Sequence, residues 1–194
     1  GLFGSIGIFS FNGNKLITTG GGGALITNDC EIAKRARHLS TTAKKPHPWT
    51  YDHDAVGWND RLPNINAALG VAQLEDLPRR LQAKRQLHKI YAQVFADLEG
   101  VELLEEPCGC QSNFWMVSLR FITADSSAAQ EQQLKLLEAS HKIGILLRPI
   151  WTPLHQLPIF YNCPSGKLPV TENQASRIIN LPSSPQLFHK SSCK

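Results

Sequence analysis

The chain has 194 residues, 42% of them hydrophobic and 19% charged, with a formal net charge of +4; this allows a sizeable core in one domain or two small ones and fits an ordinary soluble globular protein. Its Lys and Arg residues interleave with apolar positions at helical spacing, so solvated faces account for the charge and a nucleic-acid surface is not expected. No apolar run reaches the roughly eighteen residues of a membrane span, and no basic region precedes an apolar one at the N-terminus, so neither membrane insertion nor secretion is expected.

The chain opens on Gly1-Leu2-Phe3-Gly4-Ser5-Ile6-Gly7, without an initiator Met and without a helix or strand before the segment that bears Lys15, and reads as cut; the tail from Phe188 to Lys194 also ends abruptly. Ile6 to Phe11 is nearly all apolar and predicts a strand covered on both faces. The sequence then turns polar at Asn12, presents Lys15, loses its side chains through Gly20, Gly21, Gly22 and Gly23, and resumes as a second short strand over Gly23 to Thr27. Taken alone, this stretch reads as a solvated hairpin Lys before a flexible glycine turn. A P-loop needs Gly-Lys-Ser/Thr after the glycines, and here the Lys precedes them. A third reading is imine chemistry, because a buried or half-buried Lys at a strand end is partly desolvated, which favours the neutral amine that attacks a carbonyl. Ser10 and Asn14 supply polar partners beside it.

Asn28 or Asp29 predicts a cap for a helix to about Leu39, with Ile32, Ala33, Ala36 and Leu39 on one face and Lys34, Arg35 and Arg37 in solvent. Ser40 to Trp58 has no period and many aromatic residues, as in an ordered functional loop; His47, Asp52, His53 and Asp54 lack the fixed spacing of a metal site. Pro63 predicts the first turn of a helix with Ile65, Leu69, Ala72 and Leu74 inward. A second helix is expected from Arg79 to Leu98, its basic residues Arg79, Arg80, Lys84, Arg85 and Lys89 in solvent and Gly100 ending it. Beyond Gly100 a small α+β unit is expected: strands over 101–104, 114–121 and 144–151, and helices over 130–140 and 171–180. Asn113-Phe114-Trp115 reads as core rather than catalytic. Cys30, Cys108, Cys110, Cys163 and Cys193 are odd in number without Cys-x-x-Cys spacing and read as reduced thiols of a cytosolic protein.

Three segments carry a resemblance. Ser10-Phe11-Asn12-Gly13-Asn14-Lys15-Leu16-Ile17-Thr18-Thr19-Gly20-Gly21-Gly22-Gly23 resembles the cofactor-lysine signature of the DegT/StrS family of pyridoxal-phosphate-dependent nucleotide-sugar aminotransferases. Gly57-Trp58-Asn59-Asp60-Arg61-Leu62 is similar to that family's Gly-x-Asn-x-Arg-Leu segment, and Arg148-Pro149-Ile150-Trp151-Thr152-Pro153-Leu154-His155 to its Arg-Pro-x-Trp-x-x-x-His segment. The likeness covers nearly the whole chain, and residues 39–44 and 73–75 are closest to the legionaminic-acid and bacillosamine-type branch. One departure is Gly21, where the family usually has Glu.

The resemblance implies an α/β chain in which residues 1–99 form the C-terminal part of the PLP-binding large domain of a fold-type I transferase, and residues 100–194 a small α+β domain. It implies pyridoxal 5'-phosphate held by Lys15 and Ser10, with Asn59 contacting a cofactor phosphate across a dimer interface, Lys15 as the catalytic residue, and Arg148 and His155 as substrate contacts. The implied reaction passes an amino group from glutamate to carbon 4 of a UDP-linked 4-keto-6-deoxy sugar for surface-polysaccharide biosynthesis, in a cytoplasmic homodimer without metal, nucleic acid or membrane partners. In the family an upstream half supplies the acidic partner of the pyridine nitrogen, the ring-stacking aromatic and other phosphate contacts, so these residues alone are expected to hold the cofactor loosely. The alternative is a noncatalytic remnant that binds sugar nucleotide or only dimerises.

Overall fold

The computed structural model describes residues 3–189. Its contacts group the chain into two compact units, residues 1–78 and 79–194. Expectations about the extreme ends and Cys193 lie outside the described residues.

In the first unit β1 (Gly7–Ser10) and β2 (Gly23–Ile26) pair antiparallel, with Gly7 opposite Ile26 and Ser10 opposite Gly23. The two-sided burial expected of β1 is not found: Ile8 is 72% and Phe9 50% exposed, because β1 and β2 make a sheet of only two strands. Helix α1 (Cys30–Ser40) starts where expected, since Asp29 Oδ1 accepts from the backbone N–H groups of Glu31 and Ile32 at 2.8 and 3.1 Å and so satisfies two of the donors a helix leaves open. The following loop is ordered without regular structure. Trp58 N–H donates to Leu39 O at 2.7 Å, Lys45 N–H to Asp52 O at 2.8 Å, and His38 Nε2 lies 2.6 Å from Asp54 Oδ1. Ala43, fully buried, is its centre.

Helix α2 (Asn64–Glu75) begins one residue after Pro63, which caps it instead of forming its first turn. Its expected inward face is largely exposed, with Ile65 at 80% and Leu74 at 52%. The half-buried stripe is Asn66, Ala67, Gly70 and Gln73; Asn66 and Gln73 hydrogen-bond the backbone of Thr19 and Thr18, and Gly70 leaves room for the Thr19 methyl group.

The second unit begins with most of α3 (Leu77–Phe95) and continues through β3 (Val101–Leu103), β4 (Val117–Phe121), α4 (Ser126–Lys142), β5 (Arg148–Pro149), α5 (Pro169–Ala175), β6 (Ile178–Leu181) and α6 (Gln186–His189). The strands form one antiparallel sheet in the order β3-β4-β6-β5, the small α+β arrangement expected beyond Gly100. Val117, Leu119 and Phe121 alternate inward along β4 and pack with Phe114, Ala129, Leu147, Ile179 and Leu181, the period-two burial of a sheet with one covered face.

Four expectations change here. Ile178, Ile179 and Asn180 continue no helix but form β6, the strand between β4 and β5, where Ile179 is fully buried. The strand expected over 144–151 shrinks to Arg148–Pro149, an edge position that tolerates a residue without an N–H. Helix α3 ends at Phe95, and Gly100, at φ +80°, stands at the start of β3, where its carbonyl accepts from Ile122 N–H at 2.8 Å. Finally, α3 packs through Ala83, Lys84, Leu87 and His88, with Tyr91 and Phe95 against the core of the second unit.

Candidate active site

Lys15 lies half-buried in the connection between β1 and β2, five residues beyond the end of β1 rather than at a strand end. The turn is built locally. Lys15 N–H donates to Asn12 O at 3.0 Å, Gly13 N–H to Asn12 Oδ1 at 2.9 Å, and Asn12 N–H to Ser10 Oγ at 3.3 Å; Ser and Asn side chains that capture nearby backbone donors set tight turns in this way. Ser10 and Lys15 thus belong to one hairpin.

Beyond Lys15, Thr18 Oγ1 donates to Phe11 O at 2.9 Å and Thr19 N–H to the same oxygen at 3.1 Å, while Phe11 N–H donates to Gly22 O at 3.0 Å. Gly22 has φ +88°, a left-handed conformation that favours glycine. A Cβ on Gly23 would stand 2.4 Å from the Phe9 carbonyl oxygen, whereas one on Gly21 would meet nothing within 4 Å. From α2, Asn66 Nδ2 donates to Thr19 O at 2.6 Å and Thr18 N–H donates to Gln73 Oε1 at 3.4 Å. Asn66 and Gln73 are supporting residues that sequence reasoning missed; polar residues seven apart on one helix face, with Gly70 between them, were the available signal.

Asn59 is exposed and bridged to Thr41 in the same unit, outside the hairpin that holds Ser10 and Lys15. In the second unit Arg148 is exposed on β5, opposite Asn180. His155 occupies the 3-10 turn Leu154–Gln156 and places Nε2 3.0 Å from Glu172 Oε1. It lines an apolar cavity of about 460 Å³ with Pro153, Leu154, Phe160 and Leu168; Arg148 is not part of that lining.

One cation expected in solvent is in the core. Lys84 is 4% exposed, and its Nζ donates to Trp115 O at 3.2 Å and Ser183 O at 2.5 Å. Burial pulls its ammonium down to about 8. Beside it Arg85 donates to both oxygens of Glu106 at 3.1 and 3.3 Å and to Ser112 O at 2.7 Å. The Arg85 hydrogen bonds, together with Ser112 N–H, hold the Glu106 carboxyl below its ordinary range. Phe114, 6% exposed and stacked on His88 at 4.0 Å, is core as expected.

Among the described residues no three His, Cys, Asp or Glu side chains gather as a metal site, and Cys30, Cys108, Cys110 and Cys163 are free and exposed. Pyridoxal phosphate asks for an amine opposite its aldehyde and for neutral donors around its phosphate. The first unit offers the half-buried Lys15 amine, the Ser10 hydroxyl in the same hairpin and the Asn59 amide. The Lys15 amine and the Ser10 hydroxyl match the cofactor's needs within one hairpin, and Asn59 lies outside it.

Comparison with known proteins agrees with this chemistry. The model of the DegT/DnrJ/EryC1/StrS aminotransferase family matches residues 1–192. GDP-perosamine synthase of Escherichia coli O157:H7 is 38% identical over 192 residues, covering 98% of this chain and 50% of that protein. The UDP-N-acetyl-3-dehydro-alpha-D-glucosamine 3-aminotransferase of Acidithiobacillus ferrooxidans is 31% identical over 192 residues, covering 96% of this chain and 48% of that protein. Among solved structures, Helicobacter pylori PseC, an aminotransferase involved in the biosynthesis of pseudoaminic acid, superposes with a TM-score of 0.86 at 25% identity over 97% of this chain and 52% of that one. The chain spans about half the length of each of these relatives.

Proposed function

The chain belongs to the DegT/DnrJ/EryC1/StrS aminotransferase family, a family of pyridoxal-phosphate-dependent sugar aminotransferases, and from this we propose that it carries the catalytic amine of a nucleotide-sugar aminotransferase. The observation behind the reading is Lys15: a half-buried primary amine in a hairpin whose turn is fixed by Ser10 and Asn12 and whose far end is held by Asn66.

Bound pyridoxal phosphate would supply the electron sink that makes the amino donor's α-hydrogen acidic. Lys15 Nζ would hold the cofactor covalently between turnovers, and its free amine would take the proton from the donor's α-carbon. Ser10 and Asn59 would hold the phosphate by hydrogen bonds. In the second unit Arg148 would pair with an anionic group of the nucleotide sugar, and His155 would contact the substrate. The reading takes residues 1–99 as part of the large cofactor domain and 100–194 as the small domain.

The finer reading is transfer from glutamate to carbon 4 of a UDP-linked 4-keto-6-deoxy sugar by a cytoplasmic homodimer. Its support is the likeness of residues 39–44 and 73–75 to the legionaminic-acid and bacillosamine-type branch. The relatives named above include one named for a GDP-linked and one for a UDP-linked sugar, so the sugar is assigned by assay of UDP- against GDP-linked ketosugars.

The test is covalent trapping. The full chain is incubated with pyridoxal phosphate, reduced with borohydride and mapped by peptide mass. The label is expected on Lys15 and absent from Lys15→Ala. A label spread over surface lysines to the same extent in both proteins overturns the assignment.

A further inference from the structure

His155 and Glu172 come from separate elements, the turn Leu154–Gln156 and the first turn of α5, yet their side chains meet at 3.0 Å. The His155 side chain is only 17% exposed, and the residue lines the cavity together with Leu154, Phe160, Ser165, Leu168 and Thr171. An ionised carboxylate accepts hydrogen bonds and cannot donate one, so the ring nitrogen facing it carries the hydrogen. In a neutral imidazole the other nitrogen, Nδ1, is then an acceptor.

We propose that Glu172 is the positioning residue of His155, fixing the Nε2–H tautomer so that Nδ1 accepts from a hydroxyl of the substrate's sugar ring. This rests on the reading of the chain as a nucleotide-sugar aminotransferase. The chemistry favours the sugar over the diphosphate for two reasons. An ionised phosphate oxygen has no hydrogen to give to an acceptor nitrogen. The lining offers the neutral hydroxyls of Ser165 and Thr171 but no Lys or Arg to pair a diphosphate, whereas Leu154, Phe160 and Leu168 suit the apolar face of a deoxy sugar. Glu172 therefore decides which end of the substrate the cavity takes, without touching it.

The test reads the tautomer directly. In the ¹⁵N-labelled full chain at about pH 8, where a free imidazole is mostly neutral, two-bond ¹H–¹⁵N correlation is expected to show His155, assigned by its loss in His155→Asn, as a single Nε2–H tautomer. Glu172→Gln keeps an acceptor oxygen and is expected to retain it; Glu172→Leu is expected to give a mixture. An unchanged tautomer in Glu172→Leu overturns the proposal. UDP-N-acetylglucosamine is expected to move the Nδ1 resonance and UDP alone to leave it in place; an equal shift with UDP overturns the assignment to the sugar end. A chain whose tautomer depends on Glu172 but whose spectrum responds to neither UDP-linked probe sinks the substrate reading and leaves the positioning role standing.

Discussion

Asn66 Nδ2 donates to the carbonyl oxygen of Thr19 at 2.6 Å across 47 residues of sequence. Thr19 is 2% exposed, so this amide satisfies an acceptor that has little access to water. Through it α2 braces the glycine-rich end of the Lys15 hairpin.

Replacing Asn66 with Leu removes the donor and leaves the Thr19 carbonyl unpaired. The expected cost is about 1–3 kcal/mol, read as a lower denaturant midpoint, together with slower borohydride labelling of Lys15. A variant with the parent's midpoint and labelling rate would show that the brace contributes nothing.

The glycine run should tolerate substitution unevenly. Gly23→Ala forces a Cβ against the Phe9 carbonyl and is expected to destabilise by roughly 1–3 kcal/mol. Gly21→Glu points into open space and restores the residue the family usually carries there; its expected effect is within about 0.5 kcal/mol. Paired thermal melts compare them, and the reverse order refutes the packing argument.

Lys84 makes stability depend on pH in the alkaline range. Its folded-state value of about 8 lies below the ordinary 10.5. Between these values the unfolded chain binds more protons than the folded one, so stability rises as pH increases from about 8. The Tyr91 phenol, pushed up by burial, acts in the opposite sense only above pH about 10. Urea denaturation between pH 8 and about 10 should show the rise in the parent and a flatter curve in Lys84→Met. That variant should also lose roughly 1–3 kcal/mol at pH 8, because the Ser183 carbonyl loses its Lys84 donor while the Trp115 carbonyl keeps only the Ser183 hydroxyl.

Glu106 sets a trend at acid pH. Because Arg85 and Ser112 depress the folded carboxyl below the ordinary 4.5, its contribution is present above that value and disappears as pH falls through the folded one. Glu106→Gln should therefore show a shallower acid limb in denaturation midpoint against pH. Parallel limbs would mean that the pair with Arg85 does not couple folding to protons.

Sequence by itself determined the features that depend on near neighbours. Asp29 caps α1 because a carboxylate one residue before a helix reaches that helix's own first N–H groups. Ser10 and Asn12 shape the turn bearing Lys15 for the same reason, and the motif around Lys15 carried the family. Tertiary structure decided what depends on distant partners. The Ile178-Ile179-Asn180 run can extend a helix or form a strand, and it becomes β6 because β4 and β5 supply pairing on both edges. Lys84 lies among basic residues that read as a solvated face, yet the Trp115 and Ser183 carbonyls draw it into the core. His155 acquires a carboxylate partner from 17 residues away. Local pattern fixes which hydrogen bonds a segment makes with itself; only the folded chain sets which distant groups share a dry environment, where polar groups must find one another.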